Sequence, residues 1–260
     1  MTRSDKHIYF ASDFHLGADT PEESSRLREG KIIRWLESIK VRCSELYLLG
    51  DVFDYWFEYK KVVPKGYIRF LAKIADFVDS GIPVHIFTGN HDMWLSTYLS
   101  EEIGVKMYYD PVEITLHSKK FLLGHGDGLG PGDHGYKLIK KIFRSKFNQW
   151  LFARLHPNFG VSLMRFFSQK SRAYDQEENS FTTPEKEWLI QYCEEQISNR
   201  EIDYFIFGHR HLPIDYTLSN EHSRYINLGD MISFNSYAVL VDGELTLKSY
   251  ENPTLHIFGN

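Results

Sequence analysis

Apolar residues in this chain gather in short runs, and several of the runs stop abruptly at Gly, Asp or His. Residues 7–12 (His-Ile-Tyr-Phe-Ala-Ser) form the first run and predict a buried strand. Helical spacing follows over 21–40, with Thr20 as the expected N-cap and Pro21 in the first helical position. Further strands are predicted at 46–49 and 83–87, with a helix over 64–79 between them that Ser80-Gly81 closes. A short helix near 95–103 comes next, then strands at 105–109, 111–117 and 120–124 with no helix between them.

Residues 134–170 read as two or three helices. Another helix is expected from Thr183 and Pro184 to about 198, and a strand at 203–207. The tail predicts strands at 214–218, 224–228, 236–241 and 244–250, with Asp242-Gly243 as the hairpin turn of the last pair. This order, βαβαβ and then β-rich runs, predicts one α/β domain over 1–260. Its sheets are flanked by helices, and a helical insertion occupies about 131–180.

Length and composition fit a globular protein. The 260 residues can bury a large core, and no stretch approaches the 18 apolar residues of a membrane span. The N-terminus lacks the apolar core of a signal peptide. Cys43 and Cys193, each expected in or at the end of a helix, are too isolated for a disulfide framework, which favours a cytoplasmic setting. Net charge is −5, unevenly spread. From His134 to Tyr174 there are nine Lys and Arg and no acid. That stretch is expected to meet an anionic partner.

Metal chemistry enters at the ends of the apolar runs. Five blocks stand there: Asp13-Phe14-His15, Gly50-Asp51-Val52-Phe53-Asp54, Gly89-Asn90-His91-Asp92, Gly124-His125-Gly126-Asp127 and Gly208-His209-Arg210-His211. The candidate ligands Asp13, His15, Asp51, Asn90, His125, His209 and His211 mix imidazole, carboxylate and amide oxygen without thiolate. Such a set suits Mn²⁺, with Fe²⁺ or Zn²⁺ as alternatives. Seven ligands exceed one ion's needs and serve two if a carboxylate bridges, a role that falls to Asp51. In an extended segment i and i+2 share a side, which would aim Asp13 with His15, and His209 with His211, at one ion each. The preceding glycines are expected to let the backbone turn off the strand. His91, held and charged by Asp54, is read as donating a proton to the leaving oxygen or stabilising its charge, with hydroxide from cation-activated water as nucleophile. Asp92 and Asp127 are either orienters of the histidines or loop caps.

The blocks resemble the calcineurin-like metallophosphoesterases, whose pattern is D-x-H, G-D-x-x-D, G-N-H-[DE], a G-H block and G-H-x-H; all five occur here in order between residues 13 and 211. The resemblance implies a four-layer α/β/β/α sandwich and a two-metal hydrolase. One ion would take Asp13, His15, Asp51 and His211, the other Asp51, Asn90, His125 and His209, with His91 and Asp54 as the catalytic pair. Gly50-Asp51-Val52-Phe53-Asp54-Tyr55-Trp56, the Gly-His-Gly-Asp block, Asp133-His134-Gly135-Tyr136 and the basic insertion narrow the likeness. They resemble the UDP-2,3-diacylglucosamine pyrophosphohydrolases of lipid A synthesis, in which the insertion is a lid over two acyl chains. The best-known members carry Arg and Glu where this chain has His91 and Asp54, so it is read as a divergent branch.

The resemblance implies cleavage of the substrate's diphosphate to UMP and 2,3-diacylglucosamine 1-phosphate, at the cytoplasmic face of a Gram-negative inner membrane. Within the insertion, cations alternate with Phe143, Phe147, Trp150, Phe152, Phe159, Phe166 and Phe167, a composition that suits an anionic membrane surface as well as acyl chains. A protein-only insertion would need the same apolar groups simply to pack. Asn90, Tyr136, Ser168, Lys170 and Arg172 are the candidate substrate contacts. The alternative activity is that of a soluble phosphodiesterase or phosphatase acting on nucleotides or phosphoproteins. A catalytically silent binding scaffold and nucleic-acid binding are the other readings, and no obligate protein partner is expected.

Overall fold

The computed structural model describes residues 6–21, 23–132, 134–178, 181, 183–252 and 254–259, with backbone alone for His134 and for 170–178. Two mixed sheets form the centre. The first runs β11-β10-β1-β2-β3-β4, built from β1 (His7–Ala11), β2 (Cys43–Leu49), β3 (Val84–Phe87), β4 (Lys106–Tyr108), β10 (Ser236–Val241) and β11 (Glu244–Ser249). The second runs β5-β6-β7-β9-β8, from β5 (Val112–Leu116), β6 (Lys119–Leu123), β7 (Tyr204–Phe207), β8 (Pro213–Thr217) and β9 (Arg224–Leu228). Strands β1 to β4 pair in parallel, as do β6, β7 and β9, so their C-terminal ends gather on one side.

Three buried clusters define four layers. Ile32, Trp35, Leu36 and Ile39 of α1 (Ser25–Lys40), with Phe70, Ile74 and Phe77 of α2 (Ile68–Asp79), pack on one face of the first sheet. Its other face meets the second sheet through Phe10, Leu49, Phe121, Leu123, Ile206 and Ile226. Leu189, Ile190 and Cys193 of α7 (Trp188–Ile197) cover the far face of the second sheet. This is the α/β/β/α sandwich expected from the sequence. Between β6 and α7 lie α4 (His134–Arg144), α5 (Lys146–Phe152) and α6 (Pro157–Glu178). Phe143, Phe152, Leu155 and Met164 of this insertion pack against Tyr55, Phe57 and Trp94 of the body.

Several boundaries differ from expectation, each for a local reason. Helix α1 starts at Ser25 with Ser24 as N-cap, because Thr20 instead closes a separate turn by accepting the Glu23 N–H at 3.1 Å. Helix α2 starts at Ile68, because Gly66 and Tyr67 are left-handed (φ 115° and 58°). Helix α3 is only Tyr98–Glu102; the Glu58 carboxylate gathers the N–H groups of Ser96, Thr97 and Tyr98 and holds the preceding residues out of the helix. Thr183 and Pro184 open a 3₁₀ turn, Pro184–Lys186, and α7 follows with Glu187 as its N-cap. Cys43 begins β2 rather than a helix; it and Cys193 are buried and unpaired. Asp242 (φ 50°) and Gly243 (φ 88°) form the predicted hairpin turn.

Candidate metal centre

All five blocks meet at the strand ends where the sheets face each other. Asp13, His15, Asp51 and Asn90 follow strands of the first sheet; His125, His209 and His211 follow strands of the second. The loops are tied mutually: Asp13 N–H donates to Gly50 O, Phe14 and His15 N–H to Asp51 O, and Leu16 N–H to Val52 O, all within 3.1 Å. Asp13, His15, Asp51, His209 and His211 all have φ between 44° and 67°. Non-glycine residues occupy this left-handed region at a cost, and such residues concentrate at functional sites. Asp13 and His15 therefore converge through left-handed turns, not through the extended i, i+2 geometry expected from the sequence. The glycines act mainly by leaving room. A Cβ on Gly89 would lie 2.2 Å from Asp51 Oδ1, and one on Gly208 2.5 Å from Asp13 Oδ2.

Two donor groups result. In the first, His211 Nε2 is 3.3 Å and His15 Nε2 3.9 Å from Asp13 Oδ1, and the two nitrogens are 3.2 Å apart. In the second, Asn90 Oδ1 is 3.0 Å from His125 Nε2 and 2.9 Å from His209 Nδ1. Asp51 Oδ2 serves both, at 3.6 Å from His15 Nε2 and 3.3 Å from His125 Nε2. Ligand bonds of about 2.1 Å around one ion put neighbouring donors roughly 3.0–3.5 Å apart, so the spacing fits two cations with Asp51 between them.

The hydrogen bonding supports the same fit. His125 Nδ1 donates to the Leu49 carbonyl at 2.8 Å, which turns Nε2 toward the acceptors Asp51 and Asn90. His211 Nδ1 lies 3.2 Å from Asp230 Oδ2, which likewise turns its Nε2 inward. Asp13 Oδ1 is buried without a hydrogen-bond partner among the described residues. A buried carboxylate oxygen that accepts no hydrogen bond is costly unless a positive charge, a cation or the nearby His211 imidazolium, meets it. With no cation present, protons answer the same field. Burial opposes charge on His125, but Asp51 outweighs it and pushes the group up to about 10. His211 is raised to about 9, burial being overcome by Asp13 and Asp230. His15 is driven down by burial, and His209 falls to about 3 through burial and the neighbouring His125.

His91 and Asp54 sit beside the first group. Asp54 Oδ1 is 3.8 Å from His91 Nδ1 and closer, at 3.4 Å, to Nδ1 of His15. The carboxylate thus reaches a candidate ligand as well as its expected partner. His91 Nδ1 also lies 3.0 Å from Ser168 Oγ on α6, which brings the insertion to the centre. The Tyr136 hydroxyl donates to Asp127 Oδ2 at 2.6 Å, joining α4 to the His125 loop, and Lys140 Nζ lies 2.6 Å from the same oxygen. The Lys170 and Arg172 side chains lie outside the described residues. Asp92 is a loop clamp: it accepts from Gly89 N–H at 2.7 Å and Phe53 N–H at 3.2 Å. Its carboxyl is raised to about 7 by burial and the adjacent Asp51.

Sequence reasoning missed Asp230, although Gly229-Asp230 ends strand β9 as Gly50-Asp51 ends β2. The repeated pattern was the available signal.

Residues 6–213 match the calcineurin-like phosphoesterase family model. A protein of Porphyromonas gingivalis described as UDP-2,3-diacylglucosamine hydrolase is 38% identical over 94% of this chain and 98% of its own. One of Aeromonas salmonicida with the same description is 29% identical over 96% of each chain. Among solved structures, a hypothetical protein of Pyrococcus horikoshii shares the fold with a TM-score of 0.50 at 8% identity, covering 95% of this chain and 89% of that one.

Proposed function

Because the chain belongs to the calcineurin-like phosphoesterase family, we propose that its divalent cations are held at the two donor groups. Asp13, His15, Asp51 and His211 would hold one, and Asp51, Asn90, His125 and His209 the other. Nitrogen and oxygen donors without thiolate favour Mn²⁺. Bound there, the pair supplies Lewis acidity and an activated water for attack on phosphorus. The substrate is UDP-2,3-diacylglucosamine. Water adds across its diphosphate, giving UMP and 2,3-diacylglucosamine 1-phosphate. His91, held at Nδ1 by Ser168 and Asp54, donates a proton to the leaving oxygen.

The observation that carries this reading is the contact between Ser168 and His91. Through it, a basic helical insertion reaches the proposed scissile bond. Between the insertion and Trp94 of the body, Ile142, Phe143, Leu151, Phe152 and Leu155 line an apolar groove of about 410 Å³ that suits an acyl chain. Each buried methylene would contribute about 0.8 kcal/mol. The two similar proteins described as UDP-2,3-diacylglucosamine hydrolases support the same substrate.

Exposed Phe147, Trp150, Phe159 and Phe166, set among cations, favour peripheral attachment to an anionic leaflet at the cytoplasmic face of the inner membrane. No helix among the described residues is long and apolar enough to cross a membrane. The test is incubation of the Mn²⁺-loaded protein with the lipid nucleotide. UMP release is expected; turnover of a soluble phosphodiester without UMP release overturns the substrate.

A further inference from the structure

Arg28 occupies the first turn of α1, on the face that carries Ile32, Trp35 and Ile39 into the core, and it is fully buried. Two forces oppose a cation there. Burial removes its hydration, and the N-terminal end of a helix already carries partial positive charge. A leucine at this point of the apolar face would meet neither cost. The guanidinium is nonetheless specifically engaged. Nε donates to Phe14 O at 2.9 Å, and Nη2 donates to His15 O at 2.9 Å and also to Ala18 O.

These are the carbonyls of the first ligand loop. The N–H groups of Asp13 to Leu16 are spent on the Gly50–Val52 segment, so the Arg28 bonds add to the pairing from the acceptor side. The loop needs such restraint because Asp13 and His15 both stand at positive φ (56° and 44°). Asp230, the partner of His211 Nδ1, is among the acids whose field offsets the buried charge. The second donor group draws instead on the Leu49 carbonyl and the Asp92 clamp, and Arg28 makes no hydrogen bond to its ligands among the described residues.

We propose that Arg28 is a positioning residue chiefly for one cation: its three carbonyl bonds hold Asp13 and His15 in the ligating conformation, so that the first site depends on it more than the second, which the same loop reaches only through the Asp51 carbonyl and the His209 N–H. This rests on the two-cation reading above, and the experiment separates the two claims. Wild type, Arg28→Met and Arg28→Lys are titrated with Mn²⁺, and bound ions are counted with electron paramagnetic resonance as the readout. Wild type is expected to bind two ions with a spin-coupled signal.

Folded Arg28→Met, checked by circular dichroism, should keep one tight ion with an uncoupled six-line signal. Its other ion should bind about 10–100-fold more weakly, the loss usual when a group that orients a ligand is removed. Arg28→Lys, with one ammonium for three carbonyls, should fall between, and it is judged on the same criterion where the methionine variant does not fold. Two ions bound at wild-type affinity in a folded variant, or equal weakening of both, overturns the proposal. Fewer than two ions in wild type overturns the two-cation reading, and this role with it.

Discussion

The backbone N–H of His91 donates to Oδ1 of Asp51 at 2.9 Å, and this leaves Oδ2 as the oxygen that faces both donor groups. One residue of the third block thus sets the geometry of the second. Asp51→Asn should therefore lose more than one ligand bond, since the amide has neither the charge nor the second acceptor oxygen. A fall in kcat of at least about 10²-fold is expected, together with a drop in bound Mn²⁺ from two ions to one or none. Steady-state rates and metal analysis check it; a fully loaded, active Asp51→Asn would sink the bridging role.

Gly89→Ala tests the same oxygen from the other side. Its methyl would approach Asp51 Oδ1 to 2.2 Å and the Asp51 backbone N to 2.6 Å, and neither is the end of a flexible chain. The bridge or the strand end must shift, at about 1–3 kcal/mol. Thermal unfolding and metal content should both decline.

Asp92→Asn removes one of two acceptors. Gly89 and Phe53 both present N–H groups to the carboxylate, so the amide nitrogen must oppose one of them. An unsatisfied buried donor costs about 1–3 kcal/mol. A lower denaturation midpoint with an unchanged denaturant slope is the expected outcome.

The histidines fix a dependence on pH. His125 and His211, raised to about 10 and about 9, carry protons at neutral pH in the metal-free protein. Because these folded values lie above the unfolded one, protonation stabilises the metal-free fold fully below about pH 6.5. That stability is lost as pH rises through 9 and 10. Each cation must displace one of these protons, so apparent Mn²⁺ affinity should rise about tenfold per unit pH for each proton released. Calorimetry in buffers of differing ionisation enthalpy between pH 6.5 and 8 counts the protons; a count of zero would contradict the assignment.

Phe147 and Trp150 stand 66% and 52% exposed, stacked at 6.1 Å, with the Arg154 guanidinium 4.6 Å from the Trp150 ring. Replacing both with serine should weaken binding to anionic vesicles by at least about tenfold, given about 1.5–3 kcal/mol for each large apolar group removed from water. Hydrolysis of a soluble phosphodiester should not change. Sedimentation with vesicles is the measurement.

The seven candidate ligands were legible because chemistry and position coincide: His, Asp and Asn at the ends of apolar runs. Periodicity made helix-flanked sheets legible, and the resemblance of the five blocks to a known family implied their four layers. What the sequence hid was side-chain destination. The Glu58 carboxylate takes three N–H groups and delays α3, and nothing in its local sequence marks it. Arg28 is buried on three carbonyls, and nothing in its local sequence marks it. The Tyr136 hydroxyl bonds Asp127 on the His125 loop, a tie that no local pattern announces. Each depends on a partner 9 to 40 positions away, beyond the reach of local periodicity.

The sheets contribute unequally and at different times. Asp13, His15, Asp51 and Asn90 lie in the first 90 positions, whereas His209 and His211 come more than 115 positions later. Neither donor group is whole until the late strand β7 has docked against β6. During synthesis, then, the nascent chain has no complete hydrolytic centre until four-fifths of it has emerged and the two halves have closed. If the two donor groups hold cations as proposed, cation capture would be the chemical signature that the closing was correct.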